Sequence, residues 1–271
     1  MDTTTPWRAL VTGATGGIGR ATCFALLAAA EARGVALAIS VAASRPGQPL
    51  DDLVAELTAR GARARGLHGD LSDETSCARI VGEAVQHAGG LDLLVSNAGI
   101  VRGAPLATLA VADWDRVFAV DARATWLLAR AARPALAASQ GAIVAVSSVS
   151  AQYPFPGLGA YSPAKAALAM LCRQLAQEWA ADGIRVNAVA PGLIRTPLSE
   201  PIYRDAALLR QREQAVPLGR IGTADDVAQA IVYLASPAAD YVTGVELRVD
   251  GGLGDRVLAT VPGRPPAAPQ R

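Results

Sequence analysis

The chain contains a single lysine. Lysine and arginine together number 25 in 271 residues, and all but Lys165 are arginine. An excess of charge of either sign is missing too, with a net charge of +1. Proteins that follow nucleic acid or an acidic membrane surface carry a basic stripe, and this balance excludes that footprint. Long apolar runs are also absent. None approaches the roughly 18 residues needed to span a bilayer. The opening "MDTTTPWRALV" has neither the basic start nor the apolar stretch of a secretory leader. Cysteine is scarce: Cys23, Cys77 and Cys172 are far apart and odd in number. They fit small buried residues in a reducing compartment, not a disulfide framework or a metal site. A cytoplasmic protein is expected, without metal, nucleic-acid or membrane partner.

Half of the residues, 51%, are apolar, enough for the core of one large domain. Short strand-like runs alternate with longer helical patterns. "RALVT", "VALAISVA", "RARGLHGD", "LDLLVSNAG", "GAIVAVSS", "IRVNAVAPG" and "VTGVELRVDGG" read as seven strands. Several are apolar on consecutive residues, as strands covered by helices on both faces must be. Helices are expected over 17–33, 51–60, 73–88, 113–138, 160–181 and 224–235, with Asp73, Asp113 and Thr223 as starters. The alternation predicts an α/β fold: one doubly wound, Rossmann-type domain over 1–253, with a seven-stranded parallel sheet flanked by helices. The remainder, 254–271, has four prolines in 18 residues and is expected to be a tail.

"VTGATGGIG", residues 11–19, follows the first strand and opens the first helix. Glycines there let the backbone turn tightly and approach a ligand where a Cβ would clash. The helix start behind them offers unpaired N–H groups and a positive dipole end to a phosphate. Further along, Tyr161 and Lys165 are four apart and so share one helix face. Pro163 between them is tolerated only in a first turn. A phenol beside an ammonium is a proton-transfer pair, because the cation stabilises phenolate. Ammonium is a compact charge with rotatable donors, unlike the planar guanidinium fork.

These motifs arrive in a fixed order: "TGATGGIG", "GDLSD", "SNAG", "VSS", "YSPAK", "VAPGLIRTP" and "VTGVELRVDGG". In that order the chain resembles the short-chain dehydrogenase/reductase family over roughly residues 7–253. "VPLGRIGTADDVAQAIVYLAS" looks most like the 3-oxoacyl-[acyl-carrier-protein] reductase branch. The resemblance implies hydride transfer between a nicotinamide and a ketone or secondary alcohol, without a metal. It makes Tyr161 the general acid or base and Ser148 the hydrogen-bond donor to the substrate oxygen. Lys165 would hold the nicotinamide ribose beside Tyr161. Gly13, Thr15, Gly16, Gly17, Ile18 and Gly19 would cradle the cofactor. Asp70 and Leu71 would meet its adenine, Asn97, Ala98 and Gly99 would line it, and Pro191, Gly192, Ile194 and Thr196 would hold its carboxamide end.

Cofactor choice is set after the second strand, where an acid would bind the ribose hydroxyls of NAD and repel the 2′-phosphate of NADP. "AISVAASRPG" offers Ser44 and Arg45 instead, so NADP is expected, with NAD possible. One position departs from the family. Its fourth catalytic residue is Asn in W-x6-N, but Trp114 here leads to Asp121. The relatives hold a relay water there, partly through the main-chain carbonyl; Asp keeps that carbonyl and loses the amide donor. Either the relay survives with altered pH dependence or Asp121 has become structural.

The expected substrate lining is apolar, from Tyr153, Phe155, Leu158 and Leu193, with 198–217 long enough for a lid. The expected function is that of a ketoreductase or alcohol dehydrogenase. Two alternatives stand beside it: a true 3-oxoacyl-[acyl-carrier-protein] reductase and a nucleotide-sensing regulator on the same fold. The resemblance also implies self-association, as a tetramer or dimer.

Overall fold

A computed structural model of the chain describes residues 5–197 and 199–260. Its strands are β1 (Trp7–Thr12), β2 (Leu37–Ala43), β3 (Arg63–His68), β4 (Leu93–Ser96), β5 (Ala142–Val146) and β6 (Arg185–Pro191), followed by short β7 (Ile194–Arg195) and β8 (Gly222–Thr223), then β9 (Glu246–Val249). Seven of them form one sheet in the order β3-β2-β1-β4-β5-β6-β9, and every pairing is parallel. β1, β4 and β5 are buried almost throughout, which is why their sequences are continuous apolar runs and not alternating ones.

Helices cover both faces. On one, α1 (Gly17–Ala32), α2 (Gln48–Ala59) and α9 (Ala224–Ala235) bury Leu26, Leu53 and Ile231 in one cluster with Val11, Ile39 and Val144 of the sheet. On the other, α3 (Glu74–Ala88), α5 (Ala124–Ser139) and α6 (Tyr161–Trp179) bury Ile80, Leu128 and Leu168 in a second cluster with Leu10, Leu94 and Val186 of the sheet. Each such side chain contributes about 1.5–3 kcal/mol by leaving water. Cys23 and Cys172 are fully inside these layers, and burial pushes their thiols up to about 12, so neither is a nucleophile.

The predicted helix starters act differently. Asp73 caps α3 by accepting the N–H groups of Thr75 and Ser76 at 3.3 and 2.9 Å. Thr223 and Asp226 cap α9 reciprocally. Asp113 caps nothing; it lies inside α4 (Val111–Phe118), which begins after Ala110. The single helix expected over 113–138 is α4, then a π turn at Ala119–Arg123, then α5. The extra residue of the π turn buries Val120, Asp121 and Ala122 together, where an unbroken helix would turn one of them away.

The chain runs from β1 outward through β2 and β3, then returns to build β4 on the other side of β1. That reversal opens a crevice above the carboxyl ends of β1 and β4, where open parallel sheets bind ligands. Residues 198–217 carry two helices, α7 (Glu200–Tyr203) and α8 (Ala206–Ala215). The folded part also continues past the expected tail boundary at 254: Leu253–Thr260 forms a 3-10 turn. Arg248 pairs there with Asp255, an ion pair that proline counting did not reveal. Residues 261–271 of the expected tail lie outside the described residues.

Candidate active site

A groove of about 510 Å³ occupies the crevice, a size typical of ligand sites. It is lined by the glycine loop (Gly13, Thr15, Gly16, Gly17, Ile18), the end of β2 (Ser44), the turn after β3 (Asp70, Leu71), the turn after β4 (Asn97, Ala98, Gly99) and Thr196. Gly13 adopts φ +61°, and a Cβ there would lie 2.9 Å from Ala98 Cα. A Cβ on Gly17 would stand 2.9 Å from the Thr196 side chain. The start of α1 has no side-chain cap, because Gly16 occupies the N-cap. Its N–H groups are thus left to a ligand, and the positive end of the helix dipole favours an anion.

Other predicted cofactor residues stand apart from this lining. Gly19 is buried behind the loop, where a Cβ would lie 2.3 Å from the Gly13 carbonyl; it permits the turn and does not touch the groove. Pro191 ends β6, Gly192 packs on Asp250, and Ile194 pairs with Gly222. Arg45 is exposed beside Ser44 and outside the lining. Asn97 lines the groove, but its amide works inward, donating to the Thr12 and Gly13 carbonyls at 3.0 Å each. The Thr12 hydroxyl accepts the N–H groups of Asn97 and Ala98 at 3.1 and 3.2 Å. Thr12 and Asn97 therefore staple the glycine loop to the turn after β4. Sequence reading missed Thr12, which looks like one more strand residue.

At the inner end lies the proton-transfer corner. Lys165 is only 3% exposed. Its Nζ donates to the Val146 carbonyl at 2.9 Å and lies 5.6 Å from the centre of the Tyr161 ring. Asp121, 1% exposed, brings Oδ2 within 3.3 Å of Nζ, though without hydrogen-bond alignment. Its Oδ1 accepts the Ile100 N–H at 2.8 Å. Burial pushes the Asp121 carboxyl up, while Lys165 and the Ile100 N–H pull it back. Gly99 makes room for the pair: a Cβ there would lie 3.0 Å from Oδ2 and 3.4 Å from Nζ. The Asp121 carboxylate, and not only its main chain, belongs to the lysine.

Ser148 ends the same strand region, extended at φ −163°. Its Oγ accepts the Ser150 N–H at 3.1 Å, which leaves its own proton free to donate. Ser147 is buried with no hydrogen-bond partner for its Oγ among the described residues. Of the expected substrate lining, Tyr153 is engaged elsewhere: its hydroxyl accepts from Arg248 at 2.8 Å. Phe155 is exposed.

Residues 13–254 match a family model described as enoyl-(acyl carrier protein) reductase. The chain belongs to the short-chain dehydrogenase/reductase family. As such it is an oxidoreductase acting between CH–OH and C=O with NAD(P). It is 43% identical to cis-4-hydroxycyclohexanecarboxylate dehydrogenase of Sinomonas cyclohexanicum, over 90% of this chain and 95% of the relative. It is 38% identical to a 3-oxoacyl-[acyl-carrier-protein] reductase of Thermotoga maritima, over 90% and 96%. The crystal structure of a putative 2-deoxy-D-gluconate 3-dehydrogenase from Agrobacterium tumefaciens with bound NADP superposes with a TM-score of 0.82, at 36% identity over 93% and 98% of the two chains. In this short-chain dehydrogenase/reductase the glycine cradle and uncapped α1 fit the diphosphate of such a cofactor, and the groove reaches Gly99 beside Lys165. Among the described residues no helix is long and apolar enough to cross a membrane.

Proposed function

We propose that the protein is an NADP(H)-dependent ketoreductase or alcohol dehydrogenase for small, free ketones and secondary alcohols. The observation that carries this is the burial of the chain's one lysine beside Tyr161 and Asp121, at the inner end of a dinucleotide-sized groove. When bound, the nicotinamide supplies or takes the hydride. Ser148 donates to the substrate oxygen, where charge develops. Tyr161 gives its proton to that oxygen in reduction and takes it back in oxidation. Lys165, held by Val146 and Asp121, presents its charge beneath the phenol and its remaining donor to the ribose. Asp70 and Leu71 receive the adenine, and Thr196, in the groove wall, flanks the carboxamide.

NADP over NAD is supported by the lack of an acid after β2 and by Ser44 in the groove wall with Arg45 beside it. Bound NADP in the Agrobacterium tumefaciens neighbour points the same way. A free substrate is supported by the arginines that an acidic carrier protein would need. Of Arg130, Arg133 and Arg173, the first two are already paired, with Glu74 and Asp182. The Sinomonas cyclohexanicum relative, a hydroxycyclohexanecarboxylate dehydrogenase by name, favours cyclic secondary alcohols. Tetramer or dimer formation is supported by Trp126 and Met170 exposed on α5 and α6.

The test is a panel of cyclic and open-chain ketones, free and carrier-bound, followed by NADPH absorbance in the parent and in Tyr161→Phe. Free ketones should turn over faster than carrier-bound ones. The variant should lose about 10²–10⁴ in rate, the range general acid catalysis contributes. Comparable turnover in the variant would refute the assignment of Tyr161.

A further inference from the structure

The adenine end of the groove holds a residue that neither the motifs nor the family pattern singled out. Arg116, on α4, lines the groove together with Asp70 and Leu71. Its Nη1 donates to both carboxylate oxygens of Asp70, at 3.0 and 2.9 Å, and also to the Ser72 hydroxyl. Oδ1 of Asp70 additionally accepts the Ser72 N–H at 2.9 Å and the Ser72 O–H at 2.8 Å. Among the described residues three donors therefore fill Oδ1, whereas Oδ2 receives Arg116 alone. A carboxylate oxygen has two acceptor sites, so Oδ2 keeps one open.

We infer that Arg116 is a cofactor-positioning residue. It locks the Asp70 carboxylate in one orientation and leaves a single acceptor, on Oδ2, for an exocyclic amine. The geometry has a chemical consequence. A carboxylate already charged and held by a guanidinium accepts from an amino group but cannot donate to a carbonyl. The site therefore selects adenine over hypoxanthine, which carries a carbonyl oxygen where adenine carries its amino group. The selection acts on the base, and is independent of the 2′-phosphate at the far side of the ribose. The Arg116 guanidinium also brings charge neutrality: without it, Asp70 would be an unpaired anion in a groove that binds an anionic ligand. The inference rests on the reading of Asp70 as the adenine contact.

The experiment is a fluorescence titration of NADPH, NADH and their deamino forms, in which hypoxanthine replaces adenine, against the parent, Arg116→Ala and Arg116→Lys. In Arg116→Ala the dissociation constants of NADPH and NADH should rise together, by about tenfold for a lost charge-assisted contact. Those of the deamino forms should rise less, so that the parent's preference for adenine shrinks. Arg116→Lys keeps the ion pair as a point charge and should restore part of the preference. An adenine preference that survives intact in Arg116→Ala would overturn the inference while leaving Asp70 in place. A rise confined to NADPH would overturn it in favour of a 2′-phosphate contact. Equal binding of adenine and hypoxanthine cofactors by the parent would remove the adenine role of Asp70, and the inference with it.

Discussion

Replacing Asp121 with asparagine removes a buried charge from the proton-transfer corner with little change in shape. The Oδ2–Nζ distance of 3.3 Å and the 5.6 Å from Nζ to the Tyr161 ring centre, laid end to end, bound the carboxylate–ring separation at about 9 Å. At an effective dielectric of 20, two unit charges about 9 Å apart interact by roughly 2 kcal/mol. That equals a little over one pH unit at about 1.36 kcal/mol per unit. Tyr161 is partly exposed, so solvent screens some of this, and a shift of about half to one unit is expected. The sign follows from charge. A carboxylate opposes formation of the neighbouring phenolate, so its loss should move the basic limb of alcohol oxidation to lower pH in Asp121→Asn. The amide can still accept the Ile100 N–H that Oδ1 accepts in the parent, which keeps the π turn anchored. The assay is the pH–rate profile of oxidation in both proteins at saturating cofactor. Superimposable profiles would leave Asp121 as a positioning group without electrostatic effect. A shift to higher pH would refute the charge argument outright.

Lys165→Arg should fold yet lose at least about tenfold in turnover, since a planar fork cannot reach the Val146 carbonyl and Asp121 as the ammonium does; near-parental turnover would contradict the role given to the ammonium. NADPH should bind the parent more tightly than NADH, and Arg45→Ala should narrow that gap by about ten- to a hundredfold, the cost of losing a hydrogen bond to a charged group; titration of both cofactors checks it. Asp226 is held well below the usual carboxylate range, chiefly by the Arg220 guanidinium and then by the Thr223 N–H. A depressed carboxyl stabilises the fold above its unfolded value, near pH 4, and loses that effect as pH falls through the folded value. Asp226→Asn should therefore melt below the parent at pH 7, with the difference shrinking below about pH 4.

The sheet was legible because its central strands are buried on both faces. Runs such as "GAIVAVSS" have no polar phase to confuse with a helix. The lysine was legible for a different reason: in a chain that uses arginine everywhere else, one retained ammonium marks a place where guanidinium fails. What stayed hidden depends on contacts remote in sequence. The π turn at Ala119–Arg123 leaves the apolar period intact on either side, and its cause, the meeting of Asp121 with Lys165 and the Ile100 N–H, is tertiary. Arg116 reads as an ordinary solvated helix residue until Asp70 is seen opposite it. The two-residue strands β7 and β8 are shorter than any period that could announce them. Gly19 sits behind the glycine loop and not in the groove, and Asn97 lines the groove while its amide also holds the loop, because a motif records that a residue is needed and not which side it faces.

One stretch of backbone joins these hidden features. Arg116 meets Asp70 at one end of the groove, Val120 lines the groove between, and Asp121 reaches Lys165 at the other end. All three lie on α4 and the π turn that follows it. The carboxylate also bears on the lysine's field. A neutral amide next to Lys165 would leave the full field of the ammonium acting on Tyr161, whereas Asp121 offsets part of that field from 3.3 Å. The Asp121→Asn profile therefore reads the share of the lysine's field that the carboxylate takes up, through the one proton that Tyr161 is proposed to transfer.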